Sequence, residues 1–170
     1  IKRGNPLDTE VQVGAQASQE QFDKIMSYMD IARDEGAEFL TGGNKETLDD
    51  SINSGYYIQP TIIEGLGPQC ITNQEEIFGP VVTIQPFDSE NEAVENANSN
   101  KYGLAASIFT NDLKKAHRVA GGLDTGIVWI NCWLLRDLRT PFGGVKDSGV
   151  GREGGFEALH FFTEPQNICV

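Results

Sequence analysis

A chain of 170 residues with 39% hydrophobic and 22% charged residues has an ordinary globular composition, which argues against wholesale disorder. Its formal net charge of −12, from 13 basic and 25 acidic residues, argues against a nucleic-acid partner, because phosphate binding needs clustered Lys and Arg. Three widely spaced cysteines (Cys70, Cys132, Cys169) and two distant histidines (His117, His160) give no CxxC pair, zinc pattern or disulfide framework, so no metal and free thiols in a reducing cytoplasm are expected.

The opening Ile1-Lys2-Arg3-Gly4-Asn5-Pro6-Leu7 lacks an initiator Met and reads as the middle of a longer protein. No apolar run approaches the roughly 18 residues of a membrane helix, and no signal peptide is expected ahead of the fold. Ser18 to Glu35 is the strongest helix. Ser18 and Gln21 form a capping box, and Phe22, Ile25, Met26 and Met29 recur at helical spacing until Gly36. Ala37 to Thr41 predicts a short strand closed by Gly42-Gly43, and the polar stretch 44–55 a surface loop. Tyr56 to Glu64 predicts a strand in which Pro60 argues for an edge or a bend. Val81 to Phe87 predicts another strand, and Ser89 to Ser99 an acidic helix capped by Ser89, with Glu92 three residues on.

Leu104 to Thr110 predicts a strand, followed by a helix capped by Asn111 that runs to about Ala120 and ends at Gly121-Gly122. Thr125 to Asn131 is strongly β-forming. Trp133 to Gly155 is too glycine-rich for regular structure throughout, and loops of that length are usually functional. Phe156 to Phe162 predicts a short helix, and Thr163 to Val170 a terminal strand that pairs outside the domain. The alternation predicts an α/β fold with a largely parallel sheet flanked by helices, as one domain over 1–162 plus the strand 163–170.

Gly149-Val150-Gly151-Arg152-Glu153-Gly154 matches the GxGxxG spacing, but the dinucleotide fingerprint needs a strand directly before it and an acidic residue about 20 positions on. Neither is present, so the match reads as coincidence. Glu75-Glu76-Ile77-Phe78-Gly79-Pro80 reads as a solvated acidic turn, or as a cofactor contact. In the second reading Glu76 accepts from ribose hydroxyls and Phe78 offers an apolar face to a nicotinamide ring. Phe142-Gly143-Gly144 reads as turn chemistry. Glu153 is either half of a solvated pair with Arg152, or a partly buried carboxylate able to pass protons. Cys132 reads as an inert small hydrophobe at a strand end, and Cys70 as the thiol more open to oxidation. Arg136, Arg139, Lys146 and Arg152 gather between residues 133 and 152. They form a charge-balanced surface loop, or an Arg fork awaiting a carboxylate.

Asn5-Pro6-Leu7-Asp8, Gln21-Phe22-Asp23-Lys24-Ile25, Tyr57-Ile58-Gln59-Pro60-Thr61, Glu75 to Pro80, Lys101-Tyr102-Gly103-Leu104-Ala105 and Pro141 to Glu153 together resemble the C-terminal part of the aldehyde dehydrogenases, in family order. The likeness runs from about Asn5 to the last residue. It implies an oxidoreductase in which a cysteine attacks the aldehyde, hydride passes to NAD (NADP is not excluded), and a glutamate activates water. By family order that cysteine, that glutamate and most of the dinucleotide-binding portion belong upstream, so the chain alone is expected to be inactive.

The resemblance further implies that Gln21 and Lys24 approach the cofactor ribose, that Glu76 holds the nicotinamide ribose, and that Phe78 lies beside the ring. Phe142 would line the aldehyde tunnel and Glu153 would act as a proton relay behind the nucleophile. The terminal strand would join an oligomerisation sheet in a homo-oligomer. Asn131 to Gly144 is most similar to the branch acting on 2-hydroxymuconic and 2-aminomuconic semialdehydes. That implies a carboxylate-bearing substrate contacted by Leu134, Arg136 and Phe142, with Arg136 on the carboxylate. The rival expectation is a non-catalytic structural or assembly module of the same fold.

Overall fold

Helix α1 (Gln19–Asp34) begins where the sequence places it, with Ser18 Oγ accepting from the Gln21 amide at 3.1 Å. In the computed structural model, which describes residues 1–48, 52 and 55–170, its apolar face is driven inward: Ile25, Met29 and Ala32 are fully buried. Met29 and Ala32 pack over a sheet of β1 (Glu38–Thr41), β2 (Thr61–Glu64) and β3 (Val81–Thr83), in the order β1-β2-β3. Met29, Ala32, Ile63 and Leu66 form the core cluster. Burying the larger of these, Met29, Ile63 and Leu66, contributes about 1.5–3 kcal/mol each.

The strand predicted over 56–64 narrows to β2. Pro60 has no N–H for a ladder, so pairing starts at Thr61, whose amide donates to Pro80 O at 2.8 Å. β2 is the central strand rather than an edge, and within the predicted span Ile58 makes an isolated bridge with Lys45 ahead of it. The strand predicted over 81–87 ends at Thr83 because its partner β2 stops at Glu64, where Gly65 turns away at φ +85°. The predicted 44–55 loop lies partly outside the described residues.

A four-residue helix, α2 (Ile71–Gln74), has its N-terminus capped from outside. Glu35 accepts from the Ile71 amide at 2.5 Å, the Thr72 amide at 3.2 Å and Thr72 Oγ1 at 2.7 Å. Burial works to raise the Glu35 carboxyl, but the bonds from Thr72 Oγ1 and the two amides outweigh it and hold the group below the ordinary carboxylate range.

These elements belong to one compact unit, Ile1–Pro86; a second spans Phe87–Val170. The sequence reading drew no boundary at Pro86. The second unit holds α3 (Glu90–Asn98), β4 (Tyr102–Gly103), β5 (Ala105–Ile108), α4 (Leu113–Gly122), β6 (Ile127–Ile130), β7 (Val145–Lys146) and α5 (Gly155–Phe162). Ser89 caps α3, while Glu92 reaches back to the Asp88 amide at 2.8 Å, one residue before the usual box. The cap of α4 is Asp112, not Asn111, and Gly121-Gly122 form its last turn.

β5 and β6 run parallel, joined through α4, from Ala105 opposite Ile127 to Ile108 opposite Ile130. β4 and β7 pair antiparallel. The expected largely parallel sheet is thus corrected. Among the described residues, β2–β3 and β5–β6 are parallel, whereas β1–β2 and β4–β7 are antiparallel, in three small sheets. Parallel pairing occurs where a helix carries the chain back. Residues 163–170 are exposed and form no ladder among the described residues. No described helix is long and apolar enough to cross a membrane.

Candidate active site

In the first unit the expected cofactor residues cluster, with a division of labour that the sequence does not disclose. Gln21 Nε2 donates to Phe78 O at 2.7 Å and to Ile77 O at 3.3 Å, and Lys24 Nζ donates to Glu76 O at 2.9 Å. One turn of α1 therefore grips the backbone of the 75–80 loop. Gly79 completes the contact, since a Cβ there would stand 2.6 Å from Ile25 Cδ1. The Gln21 backbone serves the helix cap while its side chain serves the loop. Held by its backbone, the loop leaves the Glu76 carboxylate exposed and the Phe78 ring 73% exposed. Phe78 adopts φ +57°, a left-handed conformation costing about 1–2 kcal/mol outside glycine. These bonds to the loop do not use the Glu76 carboxylate, the Phe78 ring or Gln21 Oε1.

In the second unit the chain leaves β6 through Asn131, at φ +55°, whose side-chain amide exchanges two 2.9 Å hydrogen bonds with the Thr110 backbone. Trp129 is buried, stacks edge-on with Trp133 at 5.0 Å, and donates its indole N–H to Leu135 O at 2.8 Å. Leu134 sits at φ +57° and is exposed. These anchors bring Arg136 over Phe142, guanidinium carbon to ring centroid 4.0 Å, and into an ion pair with Glu153. Phe142 and Glu153 exchange both backbone hydrogen bonds at 2.8 Å. Arg136, Phe142 and Glu153, separated in sequence, form one cluster.

Beside it a cavity of about 330 Å³ is lined by Phe142, Gly143, Gly144, Ser148, Glu153, Phe161 and Phe162, among others. Arg152 does not pair with Glu153. It clips the glycine-rich turn, donating Nη1 to Gly144 O at 2.9 Å and Gly151 O at 2.6 Å. Gly126 and Gly143 meet backbone to backbone, closer than any added Cβ would permit.

The idea of an Arg fork awaiting a carboxylate needs revision, because each cation of the cluster is already engaged. Arg139 chelates Asp137, with Nη2 to Oδ2 at 2.5 Å, and that side-chain bond, reinforced by the Arg139 amide, holds Asp137 below its ordinary value. Lys146 Nζ donates to Asn98 O at 3.0 Å and Asn100 O at 3.1 Å. Arg136 already holds a carboxylate. The GxGxxG stretch follows a two-residue antiparallel strand, and Gly154, at φ +88°, is the N-cap of α5. That is not the βαβ setting of a phosphate loop.

The anchoring residues Trp129, Asn131 and Trp133 escaped the sequence reading. An Asn at a strand end, tolerant of left-handed backbone, was the available signal. Among the described residues no group of three His, Cys, Asp or Glu could hold a metal.

A model of the aldehyde dehydrogenase family matches residues 1–168. The chain belongs to the aldehyde dehydrogenase family. This aldehyde dehydrogenase chain is 50% identical, over all of its length, to the 2-hydroxymuconic semialdehyde dehydrogenase of Pseudomonas putida, of which it covers 35%. It is equally 50% identical over its whole length to an acetaldehyde dehydrogenase of Pseudomonas aeruginosa, covering 33% of it. Betaine aldehyde dehydrogenase of Staphylococcus aureus, solved with NAD+, superposes with a TM-score of 0.91 at 42% identity, over 95% of this chain and 32% of that one. The chain thus spans about a third of the length of the curated relatives it matches.

Proposed function

We propose that this chain is the C-terminal part of an NAD-dependent aldehyde dehydrogenase whose substrate carries a carboxylate, oxidised to a second acid. Identity does not choose the substrate, since relatives equally similar are named for a semialdehyde and for acetaldehyde. The observation that carries the substrate class is Arg136, stacked on Phe142 at the 142–153 wall and already on a carboxylate. Arg presents a planar edge suited to carboxylates, and stacking on the Phe142 face turns that edge, where Glu153 sits, toward a carboxylate partner.

The residues present fit NAD. The 75–80 loop is fixed by its backbone, so it offers the Glu76 carboxylate to paired ribose hydroxyls and the Phe78 ring to a nicotinamide face, with little left to order on binding. When bound, NAD accepts hydride from the substrate carbon. Lys24 and Gln21 then act first on the loop, and only their spare hydrogen-bonding capacity reaches the ribose.

The attacking thiolate and the base that activates water are assigned to protein outside this chain. Cys70 packs against the α1 core, Cys169 lies in the exposed tail, and Cys132 is half-buried after β6 with its carbonyl on Ser107 Oγ. A reducing cytoplasm is the proposed setting for the three thiols. The tail 163–170 is proposed to pair with a second copy in a homo-oligomer.

The test is Arg136→Ala in the natural full-length protein. Catalytic efficiency on an aldehyde carrying a carboxylate should fall roughly 30-fold or more, the scale of an unpaired desolvated carboxylate, with a neutral aldehyde of equal length nearly unaffected. Equal loss on both would defeat the substrate assignment.

A further inference from the structure

We propose that Glu153 is the resident occupant of the Arg136 carboxylate seat, and that an acidic aldehyde binds by exchange. The substrate carboxylate takes the guanidinium edge and releases the Glu153 side chain. The proposal rests on the reading of Arg136 given above and adds what must leave the seat.

Three observations carry it. The face of the Arg136 guanidinium toward Phe142 is covered at 4.0 Å, so carboxylates approach along its edge, where Glu153 already bonds. A second carboxylate placed beside an unmoved Glu153 would set two like charges against one cation, which exchange avoids. The pair is also weak enough to open. The Arg136 and Glu153 side chains are 31% and 60% exposed, and exposed pairs favour their partner by only about 1.4- to fivefold.

The exchange needs no refolding. The Glu153 backbone is tied to Phe142 by two 2.8 Å hydrogen bonds, so only its side-chain torsions turn. A neutral aldehyde leaves Glu153 on Arg136; an acidic one frees it beside the Phe142-lined cavity. Occupancy of the carboxylate seat and availability of Glu153 are thereby linked.

The experiment compares catalytic efficiency on 6-oxohexanoate and hexanal in the full-length protein, because the ratio cancels any effect of Glu153 common to both substrates. Glu153→Gln should raise the acid-to-neutral ratio about two- to fivefold by removing the competitor. In an Arg136→Ala background the same change should leave the ratio where Arg136→Ala alone puts it. Should Glu153→Gln turn over too slowly, equilibrium titration with 6-hydroxyhexanoate replaces the ratio, and a two- to fivefold tightening is expected. A ratio or affinity that is unchanged or lowered by Glu153→Gln, with Arg136→Ala still selective, overturns the exchange alone. An Arg136→Ala protein with no selective loss removes the clamp as well.

Discussion

Gln21 shows how one side chain serves two elements. Its backbone closes the start of α1 while its amide spans to Ile77 O and Phe78 O. Neutral hydrogen bonds contribute about 0.5–1.5 kcal/mol each, so Gln21→Ala should weaken NAD binding by roughly tenfold. Amide hydrogen exchange across 77–79 should accelerate in the same protein. Unaltered exchange with weakened binding would instead assign Gln21 to the ligand directly. The sequence discloses Gln21 as a cap partner and, by resemblance, as a ribose contact. It could not disclose the grip on the loop, which joins residues more than fifty positions apart. Arg136 and Glu153 present the same difficulty, since their pairing depends on the Phe142–Glu153 bridge.

Among the elements, caps were the most legible feature because their chemistry is local. Ser18 and Ser89 act as N-caps as expected, but the expected Ser18–Gln21 box does not close, because the Gln21 side chain goes to the 77–78 carbonyls. Asn111 and Asp112 are adjacent residues of equal capping quality, and only the geometry selects Asp112. Strand ends were less legible because they depend on a partner: β3 stops where β2 does. Glu35 capping α2 from another helix has no local signal at all. Its carboxyl titrates below the unfolded value when folded, so its stabilisation is complete above the ordinary value of 4.5 and fades as pH falls through the lower folded value. Glu35→Gln should cost about 1 kcal/mol at neutral pH, and the difference in Tm from the parent should close on acidification. A difference independent of pH would remove the charge from the explanation. Where α1 meets the 75–80 loop, Gly79→Ala drives a methyl toward the fully buried Ile25. Overpacking of that kind costs about 1–3 kcal/mol, visible as a lower denaturant midpoint.

For the whole molecule, the family was readable from ordered landmarks, while the division at Pro86 and the mixture of strand directions were not. Two-residue β4 and β7 are too short to leave a periodic trace. Deleting residues 163–170 from the full-length protein should lower the assembly size measured by sedimentation, if the tail supplies a pairing strand. The 170-residue chain purified alone should produce no NADH from any aldehyde. Turnover in that preparation would require a nucleophile among Cys70, Cys132 and Cys169.

The abutting backbones of Gly126 and Gly143 carry a lesson about mutability. With Gly143 O only 1.6 Å from any Cβ placed on residue 126, that seam admits no alternative side chain. Within the neighbouring exposed run 133–139, Leu134, Leu135 and Leu138 leave their side chains in solvent, and Leu135 O takes the Trp129 indole N–H. Randomising 134, 135 and 138 should therefore yield many folded proteins, and randomising 126 almost none, as a soluble-expression screen would count. Variation has room to arise within a few residues of a joint that cannot change.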